Sequence, residues 1–306
     1  VDRFRVQYSG TDEAPTQAQV DVASGTTPYT LGFRKASKIT NGNQTSGAGT
    51  SDHIYWEYYA EAQDIAKSGW NYLSSSSYVT LQFWIKSSVA QNFYGSVRTR
   101  QGTSQNYAFE TGSLSADTWT KITKTIPGNS NLQFDNDTAK NFQLNIMAFL
   151  GTDGTASGVS LNTWAAYASG TRTPDQTSTW YTTNDATLEL TGVQLEVGSV
   201  VTDFEHRSFG QELTLCQRYF EIAQGGFQGA VGSTDSDVKV SIPFRVTKRG
   251  NPTLATISTD ENCCSSVSVE ANSQDQTLGA RVVGNNVFAD GANKFFVAKF
   301  SADSEL

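Results

Sequence analysis

Between positions 162 and 185 the segment NTWAAYASGTRTPDQTSTWYTTND sets four aromatic rings, Trp164, Tyr167, Trp180 and Tyr181, among Asn, Thr and Asp side chains and one guanidinium, Arg172. Sugars present apolar C–H faces that stack on flat rings, and their hydroxyls need amides, carboxylates or guanidinium groups around the rim. These five residues are therefore the predicted saccharide-binding group. A core strand would be less polar than this segment. The competing use of the same rings is to pack the loop onto a sheet beneath it, and their exposure separates the two readings.

Other chemistry is thin. His53 sits in a polar stretch and His206 far along the chain, so they share no local metal-binding or triad spacing, and no G-x-S-x-G elbow, P-loop or H-E-x-x-H occurs. The expectation is a protein that is not an enzyme, with no catalytic residues, no cofactor and no bound metal in its site. Glycan cleavage would need only two carboxylates about 5 to 10 Å apart, a separation that spacing along a chain does not reveal. Asp135 and Asp137 in FDNDT are one such pair, read here as turn formers. A structural Ca²⁺ would find its ligands there or near Asp2 and Glu196. Cys216, Cys263 and Cys264 are too few and too unevenly spaced for a disulfide framework, and all three are read as buried thiols.

With 306 residues the chain exceeds the usual single core, and two domains are expected. Its hydrophobic content of 37% and its wealth of Gly, Ser, Thr, Asn and Gln suit short strands joined by polar turns. The predicted class is all-β. A net charge of −8 sets a mean field that repels phosphates, so no nucleic-acid partner is expected. No signal peptide is read at the start, and no apolar run approaches the roughly 20 residues of a membrane span, so no membrane insertion is expected. Val1 falls inside a strand-like run, VDRFRVQY, and a further segment upstream of it is expected.

The elements that would position the rings follow from alternation. Over 78–86, Val79, Leu81, Phe83 and Ile85 share one face and Thr80, Gln82, Trp84 and Lys86 the other. Trp84 then lies on the outer surface or lines a groove. Phe4, Val6 and Tyr8 alternate, as do Tyr29, Leu31 and Phe33. Further strands are predicted over 54–63 (with a helix over 60–67 as the alternative), 92–98, 107–110, 119–126, 142–149 and up to Glu196. About nine strands suffice for a two-sheet jelly roll. Phe83 and Trp119 are assigned to its core, and the run after Thr40 to a loop too polar to pack. Leu188, Leu190, Val193 and Leu195 continue the pattern with an irregularity near Gly192. After Ser208 and Gly210 the period lengthens and predicts a short helix presenting Leu213, Cys216 and Phe220. Composition changes there too, since all six Trp precede it. Residues 1–206 are thus read as a jelly-roll β-sandwich, and 207–306 as a small β-rich domain with an entry helix and strands near 238–244, 253–257, 265–269, 279–283 and 294–300.

The junction GVQLEVGSVVTDFEHRSFGQELTLCQRYF resembles one found in tailed-phage tail-fibre and related virion adhesion proteins. In those, a carbohydrate-binding-module-like jelly roll ends in a VQLE-x-G strand, followed by T-x-FE-x-R and an EL-x-x-CQRYY helix; here Phe220 replaces the second Tyr. FWIKSSVAQ, ADTWTKITKTIPGN, STWYTTNDATLELTG, SIPFRVTKRGNPT and FSADSEL resemble the same group. The resemblance implies a virion protein located in the tail fibre, assembled as a homotrimer with other virion tail proteins as partners, and attached to a host cell-surface glycan that it does not cleave. It carries over no catalytic residue. The alternative is a purely structural virion component, a fibre shaft or a capsid decoration protein.

Overall fold

The computed structural model describes residues 3–231, 237–271, 279–285 and 291–305. The chain forms two compact units, Val1–Glu205 and His206–Leu306. The first is an antiparallel β-sandwich of jelly-roll type. One sheet has six strands in the order β1 (Arg5–Ser9), β4 (His53–Glu61), β9 (Lys140–Leu150), β6 (Asn92–Arg98), β7 (Gln105–Ser113) and β10 (Trp164–Ala166). The other has five, in the order β2 (Thr16–Asp21), β3 (Lys35–Thr40), β11 (Thr187–Val197), β5 (Tyr78–Ser87) and β8 (Thr120–Pro127).

Alternation decides which side chains meet between the sheets. From β5 come Val79, Leu81, Phe83 and Ile85, from β9 Phe142, Leu144 and Ile146, and from β4 Ile54 and Trp56, all in one buried cluster. Each such side chain contributes roughly 1.5–3 kcal/mol when taken out of water. The opposite face of β9 carries Asn141, Gln143 and Asn145, which belong to the face considered below.

The chain departs from the sequence reading at several points. The alternation of Tyr29, Leu31 and Phe33 is not a strand: Pro28 opens a helical turn over Thr27–Thr30, and Gly32, at φ +100°, ends it. The strand follows at β3. β2 escapes the pattern because it is an edge strand whose residues are mostly exposed. The run 41–52 is a loop, yet it packs through amides, with the buried Asn41 donating from Nδ2 to the carbonyls of Tyr181 at 2.6 Å and Thr183 at 3.1 Å. β4 ends at Glu61 and hands over to a short helix, Ala62–Ala66, so both readings of that stretch hold in part. Phe83 is core, but Trp119 is not between the sheets. It joins Trp84, Phe33, Val22 and Phe204 in a second cluster on the outer face of the five-stranded sheet. The irregularity in β11 is a break in register between Thr191 and Gln194; Gly192 has φ +60° there, and a Cβ would come within 2.6 Å of the Phe33 ring.

The second unit begins with the helix Phe209–Gln217, capped by Ser208 and Gln211 in a reciprocal capping box. It continues as two three-stranded sheets. One is ordered β12 (Phe220–Val231), β17 (Gly291–Asp303), β14 (Thr253–Glu261), and the other β13 (Val238–Ile242), β16 (Ala280–Asn285), β15 (Ser266–Ala271). Phe244, Phe296, Phe300 and both Cys263 and Cys264 fill its core, and burial pushes the Cys264 thiol up to about 11. Cys216 is only half-buried, since its helix is one of the more exposed elements. Lys248 and Glu221 form a fully buried ion pair at 2.7 Å, with the Lys248 ammonium also donating to the Gln217 carbonyl.

Candidate functional site

Three of the five predicted residues are turned into the sandwich. Trp180 and Tyr181 lie in a helical turn, Thr179–Thr182, and are 0% and 1% exposed. The Trp180 indole donates to the Thr187 carbonyl at 3.0 Å, and the Tyr181 hydroxyl donates to Asp52 at 3.0 Å while its ring stacks on Phe149. Trp164 opens β10 facing Tyr107, and its indole donates to the Pro127 carbonyl at 2.7 Å. The acceptors that satisfy these ring N–H and O–H groups lie outside the polar segment, in the Thr187 and Pro127 carbonyls and the Asp52 carboxylate. For these three residues the expectation of an exposed stacking ring is corrected to one of core packing. Tyr167 and Arg172 are different, because both are half-exposed and lie over the outward face of the six-stranded sheet.

That face is built in rows by strand register. One row runs Gln7, Tyr55, Met147, Tyr94, Glu110; the next Arg5, Glu57, Asn145, Ser96, Ala108; the third Tyr59, Gln143, Arg98, Asn106, Ala165. The period of two that sends Trp56, Leu144, Val97 and Tyr107 inward sends these residues outward. Glu57 is the hub of the middle row. Its carboxylate accepts from Arg5 at 2.7 Å, Tyr59 at 2.8 Å, Gln143 at 2.8 Å and Gln7 at 3.3 Å. Gln143 passes the network on to Asn145 at 2.9 Å and accepts from Arg100 at 2.8 Å, while Asn145 donates to Ser96 at 3.2 Å. These amides cannot rotate without losing partners, so the floor of the face is fixed.

Above the floor stand half-exposed rings and cations. The Arg98 guanidinium lies 3.4 Å from the centre of the Tyr167 ring, and its Nε donates to Ser104 at 3.1 Å. Asn106 holds the segment bearing Arg172 by donating to the Arg172 carbonyl at 2.9 Å. The bond fixes the amide's orientation and turns Oδ1 away, buried with no hydrogen-bond partner; Arg172 Nε is likewise buried and without an acceptor. Burial pushes the Tyr55 phenol up, Glu57 adds to the rise and Arg172 opposes it. His53 stacks on Tyr55 with ring centres 5.3 Å apart, and its burial lowers its pKa. At the far end Glu110 accepts from Asn92 at 2.7 Å, and Asp175 accepts from Thr155 at 2.8 Å.

No family model and no curated protein matches the chain. Among solved structures, it is similar to the enzymatically active domain of tailspike protein 4 of bacteriophage CBA120, at 10% identity and a TM-score of 0.35, over 64% of this chain and 19% of that one. It is also similar to a CBM4 structure, at 14% identity and a TM-score of 0.34, over 64% of this chain and 88% of that one. A family 30 carbohydrate binding module is similar at 9% identity and a TM-score of 0.29, over 66% and 82%. What the face binds is read from its own residues.

Among the described residues no group of three or more His, Cys, Asp or Glu is arranged to hold a metal ion. Asp137 instead accepts from Gln101 at 3.1 Å, and Glu196 from Thr202; Asp2 lies outside the described residues. Sequence reasoning missed Tyr55, Tyr94, Arg98 and the amide row. The signal of the amide row was present in KNFQLNIMAFL, where three amides alternate with core residues in what proves to be a central strand.

Proposed function

We propose that this chain binds a glycan on the outward face of the six-stranded sheet and does not cut it, acting as the receptor-binding part of a virion tail fibre. The observation that carries the binding is the half-exposed set Tyr55, Tyr94 and Tyr167 standing beside Arg98 and Arg172 over a fixed row of amides. Rings of this kind take the C–H faces of sugars, and the amides and guanidinium groups take their hydroxyls. Binding without cleavage is supported by the use of the carboxylates: Glu57 is engaged by four donors, and Glu110 and Asp175 are each held by a neighbour. The tail-fibre role rests on the resemblance carried by the VQLE-x-G strand and the helix that follows. Assembly as a homotrimer with other tail proteins is supported by the exposed Phe209, Leu213, Phe220 and Ile222 of the second unit.

Adsorption of the purified chain to bacterial cells and to arrayed surface polysaccharides tests the reading, together with the size of any sugar released. Binding that is lost in Tyr55→Ala and Tyr94→Ala with no shortening of the glycan supports it. Time-dependent appearance of shorter products would overturn the non-cleaving part. A monomeric mass by light scattering would overturn the trimer.

A further inference from the structure

The glycan-binding reading leaves one feature of the face unused. Four arginines reach it, and only Arg5 has a carboxylate partner, Glu57. Arg98 stacks on Tyr167 and bonds Ser104; Arg100 bonds the Gln143 amide and lies 5.7 Å from the Tyr59 ring centre. Arg172 has a buried Nε with no acceptor. Among the described residues no carboxylate pairs with any of these three. Arg100 and Arg172 are both near enough to act on Arg98: burial holds its guanidinium below the usual range, Tyr167 and Tyr59 oppose the fall, and Arg100 and Arg172 add to it.

Three cations without a carboxylate partner share one face of a chain whose net charge is −8. Such an arrangement stores unfavourable Coulomb energy that an anion placed among them would relieve. Guanidinium groups suit that anion, because their planar forks match the oxygens of a carboxylate or phosphate two at a time. The acidic groups of the face do not fill this role. Glu57 is occupied by its own donors, and Glu110 and Asp175 lie at the opposite end beside Tyr94. The face therefore has a basic end, between Tyr59 and Tyr167, and an acidic end.

We propose that the glycan bound here is anionic, and that its carboxylate or phosphate group is held at the basic end by Arg98, Arg100 and Arg172. This rests on the reading that the face binds a glycan at all. A neutral ring of the same chain would then lie toward Tyr94, away from the charge, since Tyr55 stands beside Arg172. The bound oxygens would take the guanidinium N–H groups of Arg98 and Arg100 that no protein acceptor uses, and Arg172 would act mainly through its charge.

The test uses the full chain and an array of bacterial surface polysaccharides, each immobilised in its native form, after chemical reduction of its carboxyl groups, and after removal of its phosphates. Neutral xylan, β-glucan and dextran are included. The expected result is binding to acidic polysaccharides that weakens with added salt and is lost on one of the two treatments; which treatment abolishes it identifies the anion as uronate or phosphate. Arg98→Gln and Arg100→Gln should each weaken binding about tenfold, the size expected when a hydrogen bond to a charged group is removed. Arg100 is exposed, so its variant reports on binding even if Arg98→Gln or Arg172→Gln disturbs the fold. Lys35→Gln, which alters an exposed pair with Asp21 on the other sheet, should leave affinity unchanged. Equal binding to charge-stripped or neutral polysaccharides, or full affinity in Arg100→Gln and a folded Arg98→Gln, overturns the anionic assignment and leaves the glycan reading standing. A folded protein that binds no polysaccharide in any form overturns both.

Discussion

The two sheets of the sandwich each carry aromatic rings on their outward face, and they use them in opposite ways. On the five-stranded sheet, Trp84 and Trp119 are covered by the chain itself, with Phe33, Val22 and Phe204 laid over them. On the six-stranded sheet, Tyr55, Tyr94 and Tyr167 stand over hydrogen-bonded amides and among guanidinium groups that lack carboxylate partners. An outward ring is thus no sign of a ligand surface by itself. Its neighbours decide how it is used: apolar company makes a satellite core, whereas a hydrogen-bonded polar floor leaves the rings standing half-exposed.

The strongest way to break this contrast is to remove a ring that belongs to neither face. Trp180→Ala should cost about 3–5 kcal/mol of stability, as for other fully buried large rings, with binding per folded molecule unchanged; denaturant unfolding beside an adsorption assay measures both. Next comes the floor. Glu57→Gln removes the charge that pairs with Arg5 and one of the two acceptor oxygens shared by Arg5, Gln7, Tyr59 and Gln143, so a loss of about 1–3 kcal/mol is expected in the same unfolding experiment. Tyr167→Ala should leave stability within about 0.5 kcal/mol yet weaken glycan binding by roughly 1 kcal/mol, because the ring orders Arg98 as well as offering a face to the sugar. Its counterpart Trp119→Ala should leave glycan affinity unchanged by titration calorimetry, and equal losses in the two variants would dissolve the distinction between the faces.

The smallest effect concerns pH. Burial holds the folded-state pKa of His53 below its ordinary value of 6.5, so the unfolded chain takes up the proton first. Stability should be undiminished above about pH 6.5 and fall slightly as pH drops through the lowered folded value, and His53→Gln should remove that part of the slope. An unchanged slope in the variant would show that the ring does not contribute.

Much of the sandwich was legible in the sequence, because its central strands obey a strict period of two. β5 and β6 fall within one residue of their predicted limits. Edge strand β2 was not legible, since an element that buries little leaves little pattern. Of the candidate face, only Tyr167 and Arg172 were read from the sequence. Trp180 and Tyr181 misled because polar neighbours along the chain do not say which way a ring points; the acceptors that their indole and phenol find, the Thr187 carbonyl and Asp52, lie outside the segment. Tyr55 was hidden among Trp56, Tyr58 and Tyr59, where only register tells outward from inward.

The strict alternation of β4, β6 and β9 has a consequence for how such a protein changes over time. Residues that hold the sandwich together and residues that form its outward face occupy the same strands but never the same positions, Trp56 against Tyr55, Val97 against Arg98, Leu144 against Gln143. Every second residue can therefore be replaced while the intervening ones stay under the separate constraint of core packing. A scaffold divided in this way can change the chemistry of one whole face, along three neighbouring strands, without passing through an unfolded state.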